Sequence, residues 1–198
     1  MASSGLTRNI DRRALKALDE VTSAFAAALA SNGVSRVSEW ERRIACPRRD
    51  LLGDVNLTYT LKNRFWARIY DLTVSTTVVR DEELWPAPQL IRLRYEGLVR
   101  PQHASFQVHT GSAGEIALAL TREKAIGDLV RYLNLTTLDI RAAFEGPRAC
   151  WLVATGGLIG SYTWNFIPPV FQAIRYREAE VHQHITLLAM VARVLQEA

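Results

Sequence analysis

Ile10, Ala14, Leu18, Val21, Phe25 and Leu29 recur at helical spacing, with Leu15 beside them. They predict an amphipathic helix that follows an Asn9 cap and stops near Gly33. Residues 1–9 ahead of it read as a flexible polar tail. Residues 34–54 show no clear period. Leu57, Tyr59 and Leu61 then alternate with Thr58 and Thr60, as a half-buried strand does. A turn at Lys62-Asn63 leads into Phe65, Ala67 and Ile69, after which the phase slips by one residue to Leu72, Val74, Thr76 and Val78. Such a slip predicts a bulge or bend near Tyr70-Asp71.

Asp81, Glu82, Glu83, Pro86 and Pro88 mark a loop. Alternation resumes at Ile91, Leu93 and Tyr95, and at Ala104, Phe106 and Val108. Gly111-Ser112-Ala113-Gly114 is a turn. Residues 115–120 fit two templates. Ile116, Leu118 and Leu120 alternate, while Ser112 and Glu115 have capping-box spacing for a helix. Thr121 would cap a helix with Ile126, Leu129, Val130 and Leu133 inward. Leu138, Ile140, Ala142 and Phe144 form another strand. Residues 149–155 and 158–166 read as two strands joined at Gly156-Gly157. Pro168-Pro169 then suits the first turn of a long helix carrying Val170, Ile174, Val181, Ile185, Leu188, Ala192 and Leu195. The pattern is that of a single α+β domain over 10–198: a mainly antiparallel sheet with an N-terminal, a middle and a long C-terminal helix.

Composition adds little to this and removes several classes. A 48% hydrophobic share and a net charge of +4 exclude a disordered chain. Cys46 and Cys150 are too few for a secreted disulfide scaffold and form no CxxC, so the expected compartment is the reducing cytoplasm. A 46–150 bridge stays open on sequence alone. The N-terminal basic residues followed by an alanine run to Ala30 loosely fit a leader, but Asp11, Asp19 and Glu20 interrupt them and a docked helix fits better. Arg12, Arg13 and Lys16 put positive charge in the first turns of that helix, where the dipole disfavours it. They are either solvated or set against an anionic surface. No charged residue occurs from Ala149 to Ile174, yet its glycines, Asn165 and proline pair argue for buried strands over a membrane span.

Motifs with specific chemistry fail one by one. Gly156-Gly157-Leu158-Ile159-Gly160-Ser161 lacks the following Lys and helix of a phosphate loop. His103 and His109 lie roughly 20 Å apart on one strand. His182 and His184 diverge by about 200° on one helix. Neither pair chelates alone, and no HExxH or GxSxG occurs. No cofactor motif is found. Cys46 is the one candidate reactive thiol, set among Arg42, Arg43, Arg48 and Arg49.

Of the 24 basic residues 21 are Arg, and the excess charge falls in residues 36–68, where eight cations face Glu39, Glu41, Asp50 and Asp54. Arg42, Arg43, Arg48, Arg49, Arg64 and Arg68 are the candidate anion-binding set, with Trp40, Tyr59, Phe65 and Trp66 interleaved. Trp151, Tyr162 and Trp164 are the candidate lining of a pocket between sheet and C-terminal helix.

The C-terminal half resembles an uncharacterised bacterial family known only as a domain of unknown function. The resemblance rests on Arg94-Tyr95-Glu96-Gly97-Leu98, the helix before Leu138, Trp151 in a strand, Phe166-Ile167-Pro168-Pro169 and a closing helix. It implies a bacterial cytosolic protein and assigns no activity or site residue. The leading expectation is a non-enzymatic binding or interaction protein with a small-ligand pocket. The alternatives are a nucleic-acid or phosphate-group binder through residues 36–68, and an enzyme using Cys46 or a histidine assembled from distant segments. A homo-oligomer through the heptad-spaced C-terminal helix is a further expectation.

Overall fold

The computed structural model describes residues 3–47, 52–79, 88–96, 103–145, 148–166 and 169–197. Along the chain these form α1 (Ser3–Ala28), β1 (Val34–Ser38), β2 (Glu41–Ile44), β3 (Val55–Asn63), β4 (Ala67–Val79), β5 (Leu90–Glu96), β6 (His103–Thr110), α2 (Gly114–Arg122), α3 (Lys124–Tyr132), β7 (Leu135–Glu145), β8 (Arg148–Gly157), β9 (Tyr162–Phe166), β10 (Pro169–Ala173) and α4 (Glu178–Glu197). The fold is α+β, as the pattern predicts. All strand pairs are antiparallel, in one sheet of order β1-β2-β3-β4-β8-β7-β5-β6, with β9 pairing β4 and β10.

Alternation sends one set of side chains to each face. Val55, Leu57 and Tyr59 of β3 share a face with their partners Thr76, Val74 and Leu72 of β4. Trp151, Val153 and Thr155 of β8 continue that face, as do Leu138 and Ile140 of β7 and Ile91 and Leu93 of β5. These residues are buried, and helices α1 and α4 lie over them. The opposite face carries Asn56, Thr58, Thr73, Ser75 and the ion pairs Lys62–Asp71, 2.5 Å, and Arg141–Asp139, 2.9 Å. An antiparallel sheet tolerates this one-sided covering.

Several sequence expectations are corrected. α1 begins at Ser3, so the tail read over 1–9 is largely helical and Asn9 lies inside the helix. The helix ends before Gly33, with Ala30 at φ 51° and Ser31 N–H donating to Ala26 O, 2.9 Å. The β3–β4 register runs unbroken from Val55↔Thr76 to Asn63↔Arg68, so there is no bulge at Tyr70-Asp71. The apolar phase slips because Arg68, neutralised by Asp11, holds the inward position next to Tyr70. Residues 115–120 are helical. The expected capping box does not form; Gln89 Oε1 instead accepts from the N–H groups of Ser112 and Ala113, 2.7 and 3.1 Å. A second helix, α3, follows at once.

The largest correction concerns residues 148–178. β8 and β9 do not pair with each other. Both pair with β4, β8 along Thr73–Val79 and β9 along Ala67–Tyr70, so they are two halves of one broken strand. Pro169–Ala173 is a strand paired to β9, and the last helix starts only at Glu178. Its heptad residues Val181, Leu188, Ala192 and Leu195 are buried within the same chain, and Ile185 packs against that core. The seam read as an oligomer interface is therefore occupied by the fold itself. The loop at Asp81-Glu82-Glu83 and Pro86 lies outside the described residues.

Candidate functional site

Among the described residues, the arginines of this segment do not assemble into one face. Arg42 is 7% exposed. Its Nε donates to Asp19 Oδ1 of α1, 2.7 Å, and its Nη1 to the carbonyls of Ser38, Glu39 and Glu41, 3.1–3.2 Å. Arg68 pairs with Asp11 of α1, 2.9 Å, whose carboxylate also accepts from Tyr70 Oη, 2.5 Å. These two arginines are braces that fix α1 on the sheet. Arg43 points to the open face, where its Nε donates to Asn56 Oδ1, 3.1 Å. Arg64 is exposed at the β3–β4 turn. Arg48 and Arg49 lie outside the described residues.

The pocket trio also separates. Trp151 is fully buried in the core. Trp164 packs on Phe171, ring centroids 5.7 Å apart. Tyr162 lines a cavity that lies under α1 instead of α4. It is a cleft of about 130 Å³ between Ala17, Val21 and Ala24 of α1 and the segment around the strand break.

The break builds the cleft. β8 ends in Gly157, and residues 158–161 loop out before β9 resumes beside β4. Ser161 Oγ replaces the interrupted ladder: it accepts from Leu72 N–H, 3.2 Å, and donates to Gly157 O, 2.9 Å. Gly160 sits at φ 82°, where a Cβ would collide with Leu72 and the Tyr176 ring. Its N–H donates to Ile174 O, 2.6 Å, and its carbonyl accepts from Tyr59 Oη, 2.7 Å. The Glu20–Arg175 pair, 3.9 Å, stands at the rim.

Three tyrosines, Tyr59, Tyr162 and Tyr176, therefore face one small space. Burial raises the pKa of all three hydroxyls, Tyr162 to about 12 against the nearby Arg13 and Arg175 charges that pull it down. At neutral pH each is a hydrogen-bond donor. Tyr59 and Tyr176 are satisfied. Tyr162 Oη is buried with no partner among the described residues.

Tyr176 opens a relay into the core. Thr155 Oγ1 donates to Val74 O, 3.0 Å, so it can only accept from His184 Nε2, 2.8 Å away. Nε2 then carries the ring proton, and Nδ1 accepts from Tyr176 Oη, 2.8 Å. Burial lowers the His184 pKa to about 4, which keeps the ring neutral. Phe25 of α1 meets both His184 and Tyr176 edge to face.

A family model described as "Protein of unknown function (DUF3156)" matches residues 24–195. The chain belongs to the DUF3156 family. The match extends well beyond the C-terminal half that carried the resemblance in sequence. No curated protein and no solved structure matches the chain.

In this DUF3156 chain Cys46 and Cys150 are both buried thiols, which shields Cys46 from reagents in solution. His103, His109 and His182 are exposed, away from the relay. Among the described residues no three of His, Cys, Asp and Glu gather as metal ligands would, and no helix is long and apolar enough to cross a membrane. The charge-free stretch from Ala149 is spent on β8, β9 and β10. Tyr176 has no sequence signal, and the sequence pattern sets Tyr59 among the arginines and Gly160 in a glycine turn, not at the cleft. The Gly160 signal is present in part: a glycine cluster interrupting an aromatic alternation marks a close backbone approach.

Proposed function

We propose that this DUF3156 protein is a non-enzymatic binding protein whose ligand sits in the cleft between α1 and the broken β8–β9 strand. The observation that carries this is the cleft lined by Tyr59, Tyr162 and Tyr176, beside which the Tyr162 hydroxyl is buried without a partner among the described residues. A buried donor left unpaired costs about 1–3 kcal/mol, and a ligand oxygen toward which the Tyr162 ring turns recovers it. A space of about 130 Å³ is close to the roughly 150 Å³ engineered cavity that accepts benzene. The ligand class is therefore small, largely apolar and equipped with one hydrogen-bond acceptor. With raised pKa values the three phenols stay protonated at neutral pH and are poor proton donors to a substrate, which favours holding over chemistry. The compartment proposed is the bacterial cytoplasm, supported by two buried thiols in a chain without a cysteine framework.

Amide NMR with benzyl alcohol as the probe tests the reading. Shifts are expected at Gly160, Ser161, Arg175 and the Ala17–Ala24 face of α1, and Ala24→Phe, which fills the cleft, abolishes them. Shifts confined to other surfaces, or shifts unchanged by Ala24→Phe, would refute it.

A further inference from the structure

The tip of the β3–β4 hairpin is an exposed aromatic point. Phe65 is 95% exposed and Trp66 64%, with their rings edge to face at 6.5 Å. Burying apolar area drives folding, and these two rings contribute little of it. Cations collect at the same end. Arg64 and Lys62 flank the rings and are exposed. Asp11 of α1 is bonded to Arg68 and Tyr70 at the start of β4, while Phe25 lies near His184 over the middle of the sheet. From Asp11 over β4 the helix passes to Asp19 over Arg42 of β2, with its first turns toward the hairpin. Those turns carry Arg8 and Arg12, both exposed, while Arg13 lies over the Phe171 ring, 5.8 Å from its centroid. The acids here are Asp11, Glu39 and Asp71, and two of them are already paired, with Arg68 and Lys62.

We infer that this end of the molecule docks on an anionic lipid bilayer, with Phe65 and Trp66 among the headgroups and Arg8, Arg12 and Arg64 against lipid phosphates. Aromatic rings favour the bilayer interface, and basic side chains favour an anionic leaflet. A bilayer asks for no shaped counterpart. Two rings cover roughly 300–500 Å², well short of the about 1,200 Å² of a stable protein interface. Nucleic acid fits less well. Arg42 and Arg68 are held by Asp19 and Asp11, and rings at 76° to each other offer no common stacking platform.

Co-sedimentation of the full chain with vesicles tests this. Binding to phosphatidylcholine doped with phosphatidylglycerol is expected to exceed binding to pure phosphatidylcholine by about tenfold and to fall in high salt. Phe65→Ser with Trp66→Ser removes it while the melting temperature holds. Should that double variant unfold, Arg64→Glu supplies the same test from an exposed position. Ala24→Phe, which fills the cleft, leaves vesicle binding intact, so the two readings fail separately. Equal binding to both vesicles, no binding, or wild-type binding by the variants would overturn the inference. So would capture of a single-stranded oligonucleotide through Phe65 and Trp66 with vesicles ignored.

Discussion

His184 ties the folded state to pH. Its ring is 1% exposed and is already committed to one donor and one acceptor, so a second ring proton has no place to go. Burial depresses its pKa from 6.5 to about 4. The unfolded chain therefore takes up the proton first as pH falls. The contribution of the neutral ring is complete above pH 6.5, declines through the window below it and is gone under pH 4. That window corresponds to about 3 kcal/mol. Urea unfolding between pH 7 and 4 is expected to show this loss in the wild type and not in His184→Phe. Arg42 is the second residue with a large expected effect. Arg42→Ala leaves three turn carbonyls and Asp19 without their donor, and is expected to cost about 2–4 kcal/mol in the same assay. Arg42→Lys recovers only part, because one ammonium cannot span the set.

The elements follow local rules wherever the apolar stripe faces the core. The α1 stripe from Ile10 to Phe25 and the β3 alternation at Leu57 and Tyr59 are readable because burial alone decides them. The errors fall where another force decides. Arg68 looks outward-facing in sequence, but Asp11 lies eight residues from Asp19 on a helix no strand pattern can place. Pro168-Pro169 resembles a helix start, yet Pro169 heads an edge strand, where a missing N–H is tolerated. Gly156-Gly157 resembles a hairpin turn, whereas β4 is 13 residues long and takes both β8 and β9 along one edge. The cleft could not be read for that reason: it exists only because this strand breaks. Gly160→Ala forces a side chain into a left-handed position against Leu72 and Tyr176, and is expected to cost about 2–3 kcal/mol in urea unfolding. Ala30 occupies the left-handed position that ends α1, so Ala30→Gly is expected to gain about 0.5–1 kcal/mol. A loss at Ala30→Gly would mean the helix ends differently.

At the scale of the whole molecule, one sheet face is covered by helices and the other is polar, with Lys62–Asp71 and Arg141–Asp139 pairs across it. Asp11 braces α1 in its N-terminal half and Asp19 just past its middle, and Phe25 locks its far end against the His184 relay. Between those anchors the helix passes over the strand break on the small residues Ala17, Val21 and Ala24, which leaves the cleft open. Binding therefore depends on how α1 is held, and loosening either brace is expected to weaken it without touching the cleft wall. The proposed ligand takes its hydrogen bond from the Tyr162 hydroxyl, which is buried without a partner beside the cleft and turns toward it. The affinity for benzyl alcohol of the wild type and of Tyr162→Phe tests it, read beside their unfolding free energies. Opposite signs are expected: Tyr162→Phe folds about 1 kcal/mol more stably, having lost an unsatisfied donor, and binds the probe about five- to tenfold more weakly. Equal affinity in the two proteins, or a variant that loses stability and binding together, would contradict it.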